Sequence, residues 1–418
     1  MNKIKIDNYL YNTEDIASIH PGGSLFVELF DGRDATDAFL TYHRKKFDHK
    51  KISEKYNLIS SKYREVTVHD EINSADFLQL CQEINKILPR NKSFAPVWYY
   101  AKAITLLMMA FYLEYLMHSN ANYKWYYSSL LGFLFALIGL NIQHDANHGA
   151  ISRHFWINRL FGLSQNWIGG SSIDWMHQHI VQHHIFCNDI EKDPDLVGVS
   201  PIIRLNHSKP WYYVQTFQWF YVFISFIFFG TTYSISSFAN VFNNFNYTNY
   251  SSIVVEKYMP FERIITTCCL SRWIIIPIIV SKSENLWINY LQITPVFIVG
   301  GYYLSFFFIL SHCFEETKHY NKIRNSQESD ILLRQVSTSS NVGGEWLCFL
   351  NGGLNYQIEH HLFPRISHCH YPLIAPIVQQ FCKMKNIPYK HFSNVGQNVR
   401  SCSQYLFYMG NSKKNKFL

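Results

Sequence analysis

The sequence predicts a small soluble α+β head fused to an all-α integral membrane domain: four transmembrane helices in two hairpins, under a cytosolic helical cap. Three observations predict it. Only 16% of the 418 residues are charged, against about 25% in a typical soluble domain, while 48% are hydrophobic and 17% aromatic. Residues 1 to about 65 keep a charged, turn-rich composition, whereas four later runs are long and apolar enough to cross about 30 Å of hydrocarbon at about 1.5 Å per residue. And of 20 His, a large share cluster at the ends of those apolar runs.

Taken in order, residues 1–65 form the head, 66–94 a polar linker, 95–400 the membrane domain and 401–418 a polar basic tail. The first twenty residues are polar and mixed in charge, unlike a cleavable signal peptide. Nine Cys occur without a C-x-x-C pair, which reads as reduced thiols with no framework role. The net charge of +7 comes without a basic run interleaved with stacking aromatics, so a nucleic-acid partner is excluded. Basic loops facing an anionic leaflet account for it.

The four spans are Val97–Met117, which carries Lys102 and Glu114; Trp125–Gln143, without a charge; Ile264–Val280, with Arg272; and Asn285–Cys313, again uncharged. A fifth apolar run, Trp211–Gly230, is crowded with Trp and Tyr and interrupted by two Gln, which suits a helix lying at the interface. Parity agrees. The His motifs follow the second span and the last one, and one shared site requires an even number of crossings between them. The acceptor-like Asn246-Tyr-Thr and Asn249-Tyr-Ser would then face the cytosol without glycan.

In the head, His20-Pro21-Gly22-Gly23 is followed by Gly32-Arg33-Asp34-Ala35-Thr36, Phe39 and His43. A buried b-type haem needs two neutral imidazoles approaching from opposite faces, and Pro and Gly beside the first one fix a tight turn. His49 is a rival second imidazole. The pattern over residues 3–65 resembles the cytochrome b5 domain, and the resemblance implies haem b with His20 and His43 as axial ligands. That family places a strand and a helix ahead of the segment corresponding to Leu10-Tyr11-Asn12, and this chain begins almost there, which predicts either a haem held less firmly or a true start that lies upstream.

Three His boxes follow. His144-Asp-Ala-Asn-His148 puts two imidazoles on one helical face. In His177-Gln-His179-Ile-Val-Gln-His183-His184, an α-helix would align His179 with His183 and turn His184 about 100° away. The third box is Gln357-Ile-Glu-His360-His361, and His312 ends the last apolar run. Imidazole-rich sites suit Fe, Cu, Zn and Ni, so composition alone does not choose the metal. His154, His177, His368 and His370 fit no box and read as structural. The whole pattern resembles the membrane fatty acyl desaturases of the front-end group, which carry an N-terminal cytochrome b5 domain and begin the third box with Gln. The resemblance implies two non-haem iron ions held by His144, His148, His179, His183, His184, His312, His360 and His361, with Gln357 supporting the site or approaching one iron. The second box, continuing into Asp193-Pro-Asp195, looks most like the Δ5 branch of fungi and protists. Cys313 stands where the family often has Asn.

The resemblance further implies the reaction: O₂ as co-substrate, loss of two vicinal hydrogens from a fatty acyl-CoA or acyl-phospholipid, and a cis double bond. Electrons would come from NADH through NADH-cytochrome b5 reductase and the haem head. Δ6 or Δ8 desaturation, desaturation of a sphingolipid long-chain base and, against Gln357, acyl hydroxylation are the alternatives. A membrane-anchored electron carrier would leave the seven box histidines and His312 unexplained. Four spans, the lack of a cleavable signal and the partners the resemblance implies point to the endoplasmic reticulum membrane, with haem domain and boxes cytosolic; Lys414 and Lys416 in the tail resemble a dilysine retrieval signal but add little.

Overall fold

The computed structural model describes residues 2–62, 68–119, 124–243, 249–280, 285–319 and 330–412. Asn246 and the tail lysines Lys414 and Lys416 lie outside the described residues.

The head starts with a hairpin. Lys3–Ile6 pairs antiparallel with Tyr9–Asn12, the chain turning at Asp7, whose φ is 51°, and Ser60–Lys62 adds to the other edge of Tyr9–Asn12. A strand thus does precede Leu10-Tyr11-Asn12. Strand alternation sends Ile4, Ile6 and Tyr11 inward, where they are almost fully buried. Four short helices, Thr13–Ile19, Leu25–Glu28, Thr36–His43 and His49–Tyr56, close the other side. Asn12 caps the first by accepting from Glu14 N–H at 2.9 Å. Asp34 starts the third by accepting from both the backbone and hydroxyl of Thr36, which explains the Asp-Ala-Thr motif.

The head is welded to the rest of the chain. Its core of Ile16, Leu29, Phe30 and Phe47 runs without a break into Ile173, Trp175, Met176 and Ile180 of the second box and into Val254 and Met259. Lys257 reaches Glu28 at 2.7 Å, Arg33 donates to the Asn249 carbonyl at 2.8 Å, and the buried Arg334 pairs with Asp37. Nor do residues 66–94 act as a plain polar connector. Val68–Ile87 is helical, and Phe77, Leu80, Cys81, Ile84 and Leu88 recur at helical spacing and pack on Leu332, Ile358 and Phe363 of the third box. The boundary expected at residue 401 falls inside the Val395–Asn411 helix, whose Cys402, Tyr405, Leu406 and Met409 are buried. The fully buried Arg204 ties that helix down through the Met409 and Ser412 carbonyls, at 2.8 and 3.0 Å.

Among the described residues four helices are long and apolar enough to cross a bilayer: Arg90–Ser119, Lys124–Asn147, Tyr213–Asn243 and Leu286–His312. Three match expected spans. The other lies over the run read as interfacial, and its two Gln are no argument either way: Gln215 and Gln218 are buried, with their amides bonded to the Pro201, Arg204 and Leu406 carbonyls. The expected span near Ile264–Val280 is also a helix, Met259–Val280, with Ile264, Ile274, Ile275, Ile278 and Ile279 exposed along its outer side. Its Arg272 pairs at 2.8 Å with Glu114 of the Arg90–Ser119 helix, so the two charges noted in separate spans neutralise each other. The first and last His motifs meet in one cluster, described below, and Leu286–His312 supplies one crossing between them. One of Tyr213–Asn243 and Met259–Val280 must supply the other, and the pairing at Arg272 favours Met259–Val280.

Two cavities matter. One of about 840 Å³ lies between the head and the membrane domain and is lined by His20 and His43. A second, of about 710 Å³, runs from Gln143, His144 and Trp175 between the helices bearing Leu140, Tyr233 and Leu304. Its walls come close because Gly230 and Gly301 meet backbone to backbone: a Cβ on Gly301 would sit 2.2 Å from Gly230 N.

Candidate active site

His20 and His43 face each other across the first cavity with ring centres 5.8 Å apart. That is close to the spacing of two imidazoles each bound about 2 Å from one metal ion. His20 Nδ1 donates to the Gly23 carbonyl at 2.9 Å, and His43 Nδ1 to the Phe39 carbonyl at 3.0 Å. A carbonyl only accepts, so each ring carries its proton outward and leaves Nε2 as a lone pair. Burial, against the Gly23 bond, lowers the His20 pKa; burial, then His20 and Arg365, pushes His43 well below its ordinary value. Both rings are thus neutral, as haem ligation requires, and the motif glycine is needed because a Cβ on Gly22 would lie 2.9 Å from His20 Cε1. His49 is not the second ligand: both of its nitrogens are taken, by Tyr11 at 2.7 Å and Asp7 at 3.0 Å.

The box histidines form two adjoining clusters. Ligating atoms of His144, His148, His179 and His360 lie within 4.8 Å of one another, as do those of His183, Cys187, His312 and His361. His184 Nε2 joins the first cluster, 3.2 Å from His179 Nε2 and 2.9 Å from His360 Nε2. This corrects the α-helical expectation for the second box. His177–His183 winds as a π-helix, in which residues five apart align, and His184 N–H bonds to the His179 carbonyl. His179 and His184 therefore share a face, while His183 turns to the second cluster. Gln357 Nε2 stands 3.0 Å from His312 Nε2 and 3.2 Å from His361 Nε2, and its Oε1 is buried without a partner. Rotating that amide presents oxygen to the same point.

The outer nitrogens are held by groups that fix their protons. His183 Nδ1 lies 3.1 Å from Asp193 and 3.2 Å from Asp195. His312 Nδ1 donates to the Thr338 carbonyl at 2.9 Å. His361 Nδ1 donates to Gln335 Oε1 at 3.0 Å, the orientation of that amide being set by its Nε2 bond to the His184 carbonyl. His360 meets the Tyr371 hydroxyl at 3.1 Å and His148 meets the Tyr42 hydroxyl at 2.7 Å. Burial, reinforced by neighbouring imidazoles, pushes His148, His179, His184, His360 and His361 well below the usual histidine range. His183 is the exception: burial opposes its protonation, but Asp193 and Asp195 prevail and lift it to about 9.

The result is a dry nest of imidazole lone pairs aimed at each other, with Nε2 of His144 and His148 buried and unpartnered. Protons are disfavoured there by burial, so a metal cation is the charge that fits. Two iron ions suit this donor set. Asp193, Gln335, Thr338, Tyr371 and Tyr42 were not assigned roles from the sequence. Of these only Asp193 left a trace, in the Asp-Pro-Asp that follows the second box. Such outer partners usually hold 10–100-fold of metal affinity. Asp193→Asn is therefore expected to lose non-haem iron to a chelator about 10–100-fold more readily, with an unchanged haem spectrum. The unboxed His368 is structural: Asp145 holds it at 2.9 Å and, against burial, lifts it to about 10. His370 bonds to the Phe94 carbonyl at 2.9 Å, and His177 lies 3.3 Å from Arg33 of the head.

The model of the fatty acid desaturase family matches residues 123–393, and that of the cytochrome b5-like heme/steroid binding domain matches residues 4–64. An acyl-lipid (7-3)-desaturase of Rebecca salina is 36% identical, over 98% of this chain and 91% of its own length. One of the same description from Diacronema lutheri is also 36% identical, over 97% and 89%. Delta(5) fatty acid desaturase A of Dictyostelium discoideum is 26% identical, over 98% and 90%.

Proposed function

From the premise that the chain belongs to the fatty acid desaturase family, as a front-end desaturase fused behind a cytochrome b5-like domain, we propose that it is an acyl-lipid desaturase served by its own haem domain. His144, His148, His179, His184 and His360 would hold one iron, and His183, His312, His361 and the oxygen of Gln357 the other; His20 and His43 would hold haem b. The observation that carries this reading is the convergence of inward Nε2 atoms from the ends of two apolar helices and from two cap segments, with the outer nitrogens of His148, His183, His312, His360 and His361 held.

Bound there, the irons and O₂ supply the oxidant that removes two hydrogens from adjacent methylenes, and the haem supplies single electrons. The rest is done by the chain. Asp193, Thr338 and Gln335 hold the outer nitrogens of His183, His312 and His361 and so aim their inward nitrogens at the cluster. Burial of His144, His148, His183, His184, His360 and His361 limits water at the site. The second cavity opens beside His144 and Trp175 and offers the apolar, helix-lined course an acyl chain needs, so its walls set which methylenes lie next to the cluster. With two electrons and two protons, each turnover converts one CH₂–CH₂ unit and O₂ into a double bond and two waters. NADH-cytochrome b5 reductase would reduce the haem from the cytosol, and the endoplasmic reticulum membrane would house the enzyme.

For regiochemistry, the (7-3) position has the support of two relatives at 36% identity. The Δ5 position is the second reading, supported by the form of the second box and by a relative at 26%. Expression in a desaturase-free host fed fatty acids of defined length, with double bonds located by mass spectrometry, tests both. A new cis bond at one of these positions is expected. A hydroxylated product, an altered long-chain base, or no product beside an intact haem spectrum would overturn the proposal.

A further inference from the structure

The haem cavity is not made by the head alone. Its far wall is His148, Gly149, Arg153, Phe155 and Arg365, all from beyond the linker. Two of these are arginines, and among the described residues neither is paired with a carboxylate. Arg365 stacks on Phe94, 5.5 Å from its ring centre, and Arg153 donates from Nε to His154 at 3.1 Å. Both line the cavity, Arg365 half-buried and Arg153 at its exposed rim. Arg365 is also partly stripped of water there, which lowers its own pKa, with Arg90 adding to the effect. A cationic pair beside an apolar cleft calls for an anion. A haem b held between His20 and His43 brings two propionate carboxylates, and guanidinium binds carboxylate in paired hydrogen bonds.

We propose that the desaturase domain completes the haem site, Arg153 and Arg365 each taking a propionate carboxylate. This rests on the reading of His20 and His43 as haem ligands. It gives the head's docking a purpose: with its propionates fixed to the membrane domain, the haem stands beside Tyr42. Tyr42 is the neighbour of His43, lines the same cavity and touches His148 of the iron cluster at 2.7 Å. The haem site and the candidate iron site thus share a wall, and the arginines hold that wall to the cofactor.

The test uses full-length holoprotein in detergent and follows haem transfer to excess apomyoglobin. Arg153→Met and Arg365→Met are each expected to release haem about tenfold faster, as loss of one charge-assisted bond implies, with lysine at either position restoring most of the hold. Each Met variant is also expected to lower the haem midpoint potential, because removing a nearby positive charge favours ferric haem. Unchanged release and unchanged potential beside a normal Soret band would overturn the clamp and leave the His20–His43 site standing. A Soret band surviving both His20→Ala and His43→Ala would overturn the haem site itself, and the clamp with it.

Discussion

His183→Ala and His360→Ala are each expected to abolish desaturation while leaving the haem spectrum as in the parent protein. The two residues sit in different clusters. His360 Nε2 is 2.9 Å from His184 Nε2 in the first, and His183 shares the second with His312 and His361. Truncating either removes one nitrogen from a donor set and takes a buried bond from its outer partner, the Tyr371 hydroxyl or the Asp193 carboxylate. Loss of a catalytic metal removes several kcal/mol of transition-state stabilisation, so turnover should fall about 10³-fold or more. The haem rings lie in another cavity and keep their own carbonyl partners. Product analysis on lipids from cells expressing each variant, with a Soret spectrum of the same preparation, checks both halves. Retained turnover in either variant would count against the two-iron assignment.

His20→Ala and His43→Ala are expected to do the converse: to lose the Soret band and NADH-driven activity while keeping the box iron. Each ring is fixed by one backbone carbonyl and leaves a single Nε2 for the metal, so losing either ring removes one of the two facing donors. His49→Ala provides the contrast. That ring bridges Tyr11 and Asp7, so its loss should cost about 1 kcal/mol of stability and no haem. Absorption spectra with iron analysis of all three variants separate the outcomes.

Much of this was legible in the sequence because the informative signals were local. His-Pro-Gly-Gly with a spaced second His, boxes at helix ends and long apolar runs each need only a short window. What the sequence hid was set by winding and by distance. His184 falls in with His179, not apart from it, because the second box forms a π-helix, which α-helical spacing does not foresee. Gln215 and Gln218 look like interface residues in the sequence, but their amides are bonded within the protein. Phe77, Leu80 and Ile84 did repeat at helical spacing inside a segment read as a linker, a signal masked by its polar neighbours. Gln335, Thr338 and Tyr42 come from far along the chain to hold box histidines, and nothing in their own surroundings announces it.

The account stands on two iron ions in the box clusters beside one haem in the head. The ratio of total iron to haem in purified, fully loaded protein tests this most directly. The account predicts about three iron atoms per haem, of which at least about one is lost in His183→Ala or His360→Ala material treated with chelator. One iron per haem in active enzyme would contradict it.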